Sequence, residues 1–89
     1  MEIRFTRHAL IRLIEREISP EECEEIFLQG KVIEIYENDK PFPSDLRIGN
    51  IKGRILHVVS SVDNEIVHII TAYEPHPALW NEDFTKRKI

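Results

Sequence analysis

The stretch RILHVVSSVDNEIVHIITAY, residues 54–73, decides the fold. Residues 54–62 and 66–73 are two runs rich in β-branched side chains, and the turn-forming pair Asp63-Asn64 lies between them, so the segment reads as a β-hairpin. Just upstream, Lys52-Gly53 is a tight turn that follows a weaker strand at 46–51, which makes the three strands an antiparallel meander. Val32-Ile33-Glu34-Ile35-Tyr36 is a fourth strand, separated from the meander by the turn-formers of residues 38–45, with Pro41 and Pro43 among them. The hairpin register matters because a one-residue slip moves every side chain to the other face. If Asp63-Asn64 is the turn, Val62 opposes Glu65 and Arg54 faces Tyr73. If Asp63-Asn64-Glu65 forms a three-residue loop, Val62 opposes Ile66, His57 faces Thr71, and His57 and Tyr73 share a face. A bulge has the same effect, while the Asp-Asn pair favours the shorter turn.

Two helices precede the strands. Thr6 is a candidate N-cap, and Leu10, Ile11, Leu13, Ile14 and Ile18 recur at three- and four-residue spacing, predicting an amphipathic helix over 7–17. Ser19-Pro20-Glu21-Glu22 then combines a capping Ser, a Pro at the first helical position and a Glu three residues after the cap. The second helix buries Cys23, Ile26 and Phe27, and Gly30 is expected to end it in a left-handed conformation. Glu21, Glu22, Glu24 and Glu25 sit at the positive end of its dipole as a solvated helix start. The tail beyond Glu74 opens with Pro75 and Pro77 and closes either as a short helix or as an irregular segment. The sum is a single two-layer α+β domain spanning residues 1–89, two N-terminal helices on a four-stranded antiparallel sheet, with the second sheet face open to solvent or ligand.

The chain has 89 residues, 42% hydrophobic and 31% charged, which suits one globular domain and excludes a two-domain enzyme. A domain this small has a stability on the order of 5 kcal/mol. Its net charge is −4, against the basic excess usual in phosphate-binding domains. The charge is uneven: residues 1–45 carry six basic and eleven acidic side chains, residues 46–89 six and five. A single cysteine, Cys23, allows no intramolecular disulfide and fits a reducing cytoplasm. No apolar run is long enough to span a membrane.

His8, Arg12 and Arg16 are spaced i, i+4, i+8 and form a polar stripe on helix one. The stripe reads either as a functional row or as solvated charges paired with Glu15 or with the glutamates of helix two. His57 lies between Leu56 and Val58, where an imidazole needs hydrogen-bond partners unless it points outward. The neighbouring strand offers Thr71 and Tyr73 as hydrogen-bonding and proton-transfer groups. His68 reads as an outward-facing strand residue and His76 as a loop residue. The four histidines have no metal-ligand spacing and the three glycines build no phosphate loop, so neither a metal nor a nucleotide cofactor is expected. Lys86-Arg87-Lys88 follows Trp80 and Phe84, a pairing of cations with stacking surfaces that suits a nucleic acid, although a solvated terminus explains it too.

The blocks Phe5-Thr6-Arg7-His8-Ala9 through Arg12 and Glu15-Arg16, Gly30 through Tyr36, Leu56-His57-Val58-Val59, and Ile70-Thr71-Ala72-Tyr73-Glu74-Pro75 with Trp80 resemble the family of small bacterial and cyanobacterial domains of unknown function 4258. Glu17 stands where that family often has Gly. The family in turn resembles the RelE and ParE toxins, which implies a metal-independent ribonuclease acting on RNA or the ribosome, held in check by an antitoxin protein. In that chemistry the ribose 2′-OH attacks the adjacent phosphate, so a base, an acid and cations are required. His8 and His57 are the candidate base and acid, Tyr73 an alternative acid, and Arg12, Arg16, Arg54 and Arg87 the candidate phosphate-binding cations. A non-catalytic protein-interaction module on the same scaffold is the competing expectation. Dispersal of His8, His57 and Tyr73 favours the module, and convergence favours the nuclease.

Overall fold

A computed structural model describes residues 1–88. The elements run β1 (Glu2–Phe5), α1 (Arg7–Glu15), α2 (Pro20–Gln29), β2 (Lys31–Tyr36), β3 (Ser44–Ile51), β4 (Arg54–Asp63) and β5 (Ile66–Tyr73). They build one five-stranded sheet in the order β1-β5-β4-β3-β2, with both helices on one face. The expected four-stranded antiparallel sheet is thus corrected to a five-stranded mixed one, because β1 pairs in parallel with β5, Glu2 opposite Ile66 through Phe5 opposite Ile69. Four residues are a short signal, yet Glu2-Ile3-Arg4-Phe5 alternates polar and apolar, and Ile3 and Phe5 pack against the core.

Each helix end has an identifiable cause. The Thr6 hydroxyl accepts from the Ala9 N–H at 3.0 Å, capping α1. The helix stops at Glu15, two residues earlier than its apolar spacing predicts, in a Schellman turn: Ile18 N–H donates to Leu13 O at 2.9 Å and Glu17 N–H to Ile14 O at 3.2 Å. Glu17 is left with φ +56°, a conformation that costs a β-carbon-bearing residue about 1 kcal/mol. Arg54 reaches across to the freed carbonyls, donating to Glu17 O at 2.6 Å and Arg16 O at 2.7 Å. Glu17→Gly is therefore expected to stabilise the fold by about 0.5–1 kcal/mol and raise Tm by about 4 °C. A thermal melt showing a lower Tm would contradict this assignment.

Helix α2 begins in a complete capping box: Ser19 Oγ accepts from Glu22 N–H at 3.1 Å, and Glu22 Oε1 accepts from Ser19 N–H at 2.8 Å. Gly30 ends it in an extended conformation with φ −75°, not the expected left-handed one. Glycine is needed there for close approach, since a Cβ would lie 2.5 Å from Ile26 O and 2.7 Å from Ile48 O.

The core lies between the helices and the sheet, built from Leu13, Ile18, Cys23, Ile26 and Phe27 against Leu56, Val58, Val67, Ile69 and Ala72. Cys23 is fully buried, which pushes its thiol up to about 12, the neighbouring glutamates adding to the effect of burial. It behaves as a small hydrophobe. On α1, by contrast, the inward line consists of Ala9 and Leu13, while Leu10, Ile11 and Ile14 remain exposed.

Neither the expected two-residue turn at Asp63-Asn64 nor the three-residue loop occurs, and the bulge alternative does. Asp63 pairs with Ile66 around the turn Asn64-Glu65, and Asn64 takes φ +56°, which Asn tolerates better than most residues. A bulge between Val59 and Ser60, with Ile70 as the extra residue, then shifts the pairing so that His57 stands directly opposite Tyr73. The preceding turn has φ +53° at Lys52 and +88° at Gly53, both positive as a type I′ hairpin requires.

Beyond β5 the tail closes irregularly. Trp80 bridges Arg87, Asn81 N–H donates to Lys86 O at 2.9 Å, and the Asn81 side chain accepts from Thr85 N–H at 3.0 Å. This loop lies over part of the second sheet face, so that face is not fully open as expected.

Candidate functional site

Because β-strand partners share a face, the register alone assembles a polar group on the sheet face away from the helices. His57 pairs with Tyr73 on one side and Ile48 on the other, while Glu34 pairs with Leu46 and Tyr36 with Ser44. The tail brings Trp80, Phe84 and Arg87 onto this group. His57 is fully buried, edge-on to Trp80 with ring centroids 4.5 Å apart and to Tyr73 at 5.3 Å.

The hydrogen bonds fix the state of the imidazole. His57 Nε2 lies 2.8 Å from Phe84 O, and a carbonyl only accepts, so Nε2 carries the hydrogen in the neutral ring. Nδ1 is then a lone-pair acceptor, and it faces the Tyr73 hydroxyl at 3.4 Å. Burial lowers the His57 pKa below the ordinary 6.5, more than the Phe84 carbonyl raises it. Burial likewise raises the Tyr73 pKa above 10, with Arg87 and Arg16 opposing the shift and Glu34 adding to it. Tyr73 is therefore a protonated phenol at neutral pH, backed by a lone pair and set in the field of two cations.

A second cluster adjoins the first. Arg87 donates to both Glu34 oxygens, at 3.0 and 3.2 Å, and its guanidinium lies 4.7 Å from the Trp80 ring centroid. Tyr36 OH also donates to Glu34. Burial works against the Glu34 carboxylate, but these two donors outweigh it and hold its pKa below the ordinary carboxylate value. Burial and the Glu34 charge push the Tyr36 phenol up to about 12.

The neutral buried imidazole carries a pH dependence. A folded pKa below the unfolded 6.5 means that His57 contributes fully above pH 6.5, and the contribution is lost as pH falls below that value, at up to about 1.4 kcal/mol per pH unit. Denaturant titrations across this range are expected to show the decline in the wild type and not in His57→Gln. Identical pH profiles for the two proteins would contradict it.

The remaining sequence candidates do not all converge here. Arg16 sits at the β5 edge beyond the end of β1, donating to Ala72 O at 2.8 Å and to Thr71 Oγ1 at 3.2 Å, close enough to act on Tyr73. Arg54 caps α1 and pairs with Glu74 at 3.4 Å. Arg12 pairs with Glu15 at 3.3 Å on the exposed side of α1. His8 is exposed on the first turn of the same helix, which packs on the opposite sheet face. His57, Tyr73 and Arg87 are thus brought together, with Arg16 on the adjoining β5 edge, whereas His8, Arg12 and Arg54 are not. Glu34 and Tyr36 were not expected, although at i and i+2 on a strand they must share a face, and Phe84, expected as a stacking surface, contributes its carbonyl to His57.

A separate cleft of about 440 Å³ lies between the β2–β3 loop and the far end of the hairpin, lined by Asp39, Pro41, Phe42, Asp63, His68 and Ile70 among others. Among the described residues, no three His, Cys, Asp or Glu side chains come together to hold a metal ion, and no helix is long and apolar enough to cross a membrane.

The family described as "Domain of unknown function (DUF4258)" matches residues 5–74. That span includes Arg16, His57 and Tyr73 and ends before the tail whose Trp80 and Phe84 contact His57. No curated protein and no solved structure matches the chain.

Proposed function

We propose that this chain, which belongs to the DUF4258 family, is a metal-independent endoribonuclease of the RelE-like toxin type, with Tyr73 as its proton donor. One observation carries the reading. The Phe84 carbonyl sets the His57 tautomer, so that the lone pair on Nδ1 faces the Tyr73 hydroxyl at 3.4 Å, a long contact that orients the phenol without binding its proton tightly. His57 acts through Tyr73 and is a positioning residue. The 2′-oxygen bonds to phosphorus as the bond to the 5′-oxygen breaks; the 2′-OH proton passes to water and the Tyr73 proton to the departing 5′-oxygen. Arg16 and Arg87 offset the negative charge on the phosphorane and on the resulting phenolate, which water then reprotonates. Neither a metal nor a cofactor enters this scheme. The partners it calls for are RNA, free or ribosome-bound, and an antitoxin protein, in the cytoplasm.

A second reading, a non-catalytic protein-interaction module, is favoured by the complete burial of His57 with both nitrogens engaged and by the separation of His8 from the other candidates. Cleavage of single-stranded RNA by the purified full chain in EDTA decides between them: cleavage that Tyr73→Phe removes supports the nuclease, and intact RNA with folded protein supports the module.

A further inference from the structure

On the sheet face that carries Tyr73, one row of polar side chains crosses the strands. His68 pairs with Arg4 on one side and Ser61 on the other, and Ser61 pairs with Ser44. Asp63, at i+2 from Ser61 on β4, shares their face. The β2–β3 loop folds over this row, and the cleft of about 440 Å³ between them is lined by Ser61, Asp63, His68 and Ile70 from the hairpin and by the half-buried Phe42 from the loop. Such a volume suits a small organic ligand. The loop carboxylate of Asp39 is already engaged, accepting from the Ser44 hydroxyl. Ser61, Asp63 and His68, by contrast, form no side-chain hydrogen bond or ion pair among the described residues. Ser61 is only 9% exposed, so its hydroxyl is a buried polar group whose open side is the cleft, and a buried polar group calls for a partner.

We propose that this cleft binds a guanine base. The Asp63 carboxylate only accepts, so its ligand must donate, and a neighbouring pair of N–H groups satisfies both oxygens. Guanine is the one RNA base with two such donors side by side, N1–H and the exocyclic amine. Adenine and cytosine set a ring lone pair beside their amine, and uracil flanks its single N–H with two carbonyls. The Ser61 hydroxyl and the imidazole N–H of His68 donate in turn to guanine O6, while the Phe42 ring offers a stacking surface. An arginine side chain also presents paired donors, but it has no acceptor for the His68 N–H. A wholly apolar ligand leaves all three polar groups without partners, and an anion is repelled by Asp39 and Asp63. Lys40, exposed at the rim, is placed for a flanking phosphate. Tyr73 lies farther along the same face of β5. The role of the cleft as the subsite that seats a guanosine near the scissile phosphate rests on the nuclease reading, whereas the binding itself does not.

Titration of the isotope-labelled full chain with guanosine, followed by amide chemical shifts, tests it. Saturable shifts centred on Ser61, Asp63 and His68 are expected. Inosine, which lacks the exocyclic amine, should bind about tenfold more weakly, and adenosine should leave the cleft unshifted. Asp63→Asn should erase the preference for guanosine over inosine, and Phe42→Ala, a change in the loop, should weaken both about tenfold. Shifts at the cleft from N-acetylarginine amide but none from guanosine would overturn the proposal in favour of a partner protein's arginine, and equal binding of guanosine and adenosine would overturn it too. The two readings fail separately: guanosine binding without RNA cleavage supports the cleft and removes the nuclease, and RNA cleavage without guanosine binding does the reverse.

Discussion

Replacing His57 by alanine is expected to remove about 3 kcal/mol of folding free energy, the bulk of a total on the order of 5 kcal/mol. The imidazole is fully buried between Tyr73 and Trp80, so truncation opens a cavity lined by two aromatic rings. It also leaves Phe84 O without its donor in a buried setting, a separate penalty of about 1–3 kcal/mol in general. Local relaxation of the tail reduces both costs by bringing in water, which is why the figure stays below their sum. The tail should loosen first, because His57 is one of the groups that hold it on the sheet. Denaturant unfolding followed by Trp80 fluorescence reads both effects, and a loss under about 1 kcal/mol would show that His57 is not the anchor described here.

Tyr73→Phe should behave in the opposite way, with little effect on stability and a large one on chemistry. Only the hydroxyl is removed, and its 3.4 Å contact to Nδ1 is long for a hydrogen bond, so the folding free energy should change by less than about 1 kcal/mol. On the proposed scheme RNA cleavage should fall at least 100-fold, because the phenol that would protonate the leaving oxygen is gone. The two substitutions differ in their main effect: His57→Ala acts first on folding and on turnover only through Tyr73, whereas Tyr73→Phe acts on turnover alone. Equal cleavage rates for wild type and Tyr73→Phe would remove Tyr73 from the reaction.

Local chemistry was the part of the structure that could be read from sequence. Ser19, Pro20 and Glu22 specify the start of α2 within four residues, and the β-branched runs of β4 and β5 need no distant partner to be recognised. What escaped depends on contacts between distant segments. The strand β1 is defined by pairing with residues more than sixty positions away, and four residues give too little periodicity to announce it. The hairpin register turned on a bulge, an alternative the sequence admitted, but no turn rule places it at Ile70. Glu17 shows a related limit: its position was marked as one where the family often has Gly, but the left-handed turn behind that preference appears only once Arg54 is seen capping the helix. Among the site candidates, spacing placed His8, Arg12 and Arg16 in one row. The β5 edge then takes up Arg16 alone, while His8 and Arg12 stay in solvent.

The most direct test of the functional account compares two oligonucleotides of one sequence, single-stranded RNA and its 2′-deoxy counterpart, each incubated with the purified full chain in EDTA. The account predicts that the RNA is cut to products ending in a 2′,3′-cyclic phosphate, that the 2′-deoxy strand stays intact, and that Tyr73→Phe abolishes the cutting. Intact RNA in the presence of folded wild-type protein, or equal cutting of both strands, would contradict it.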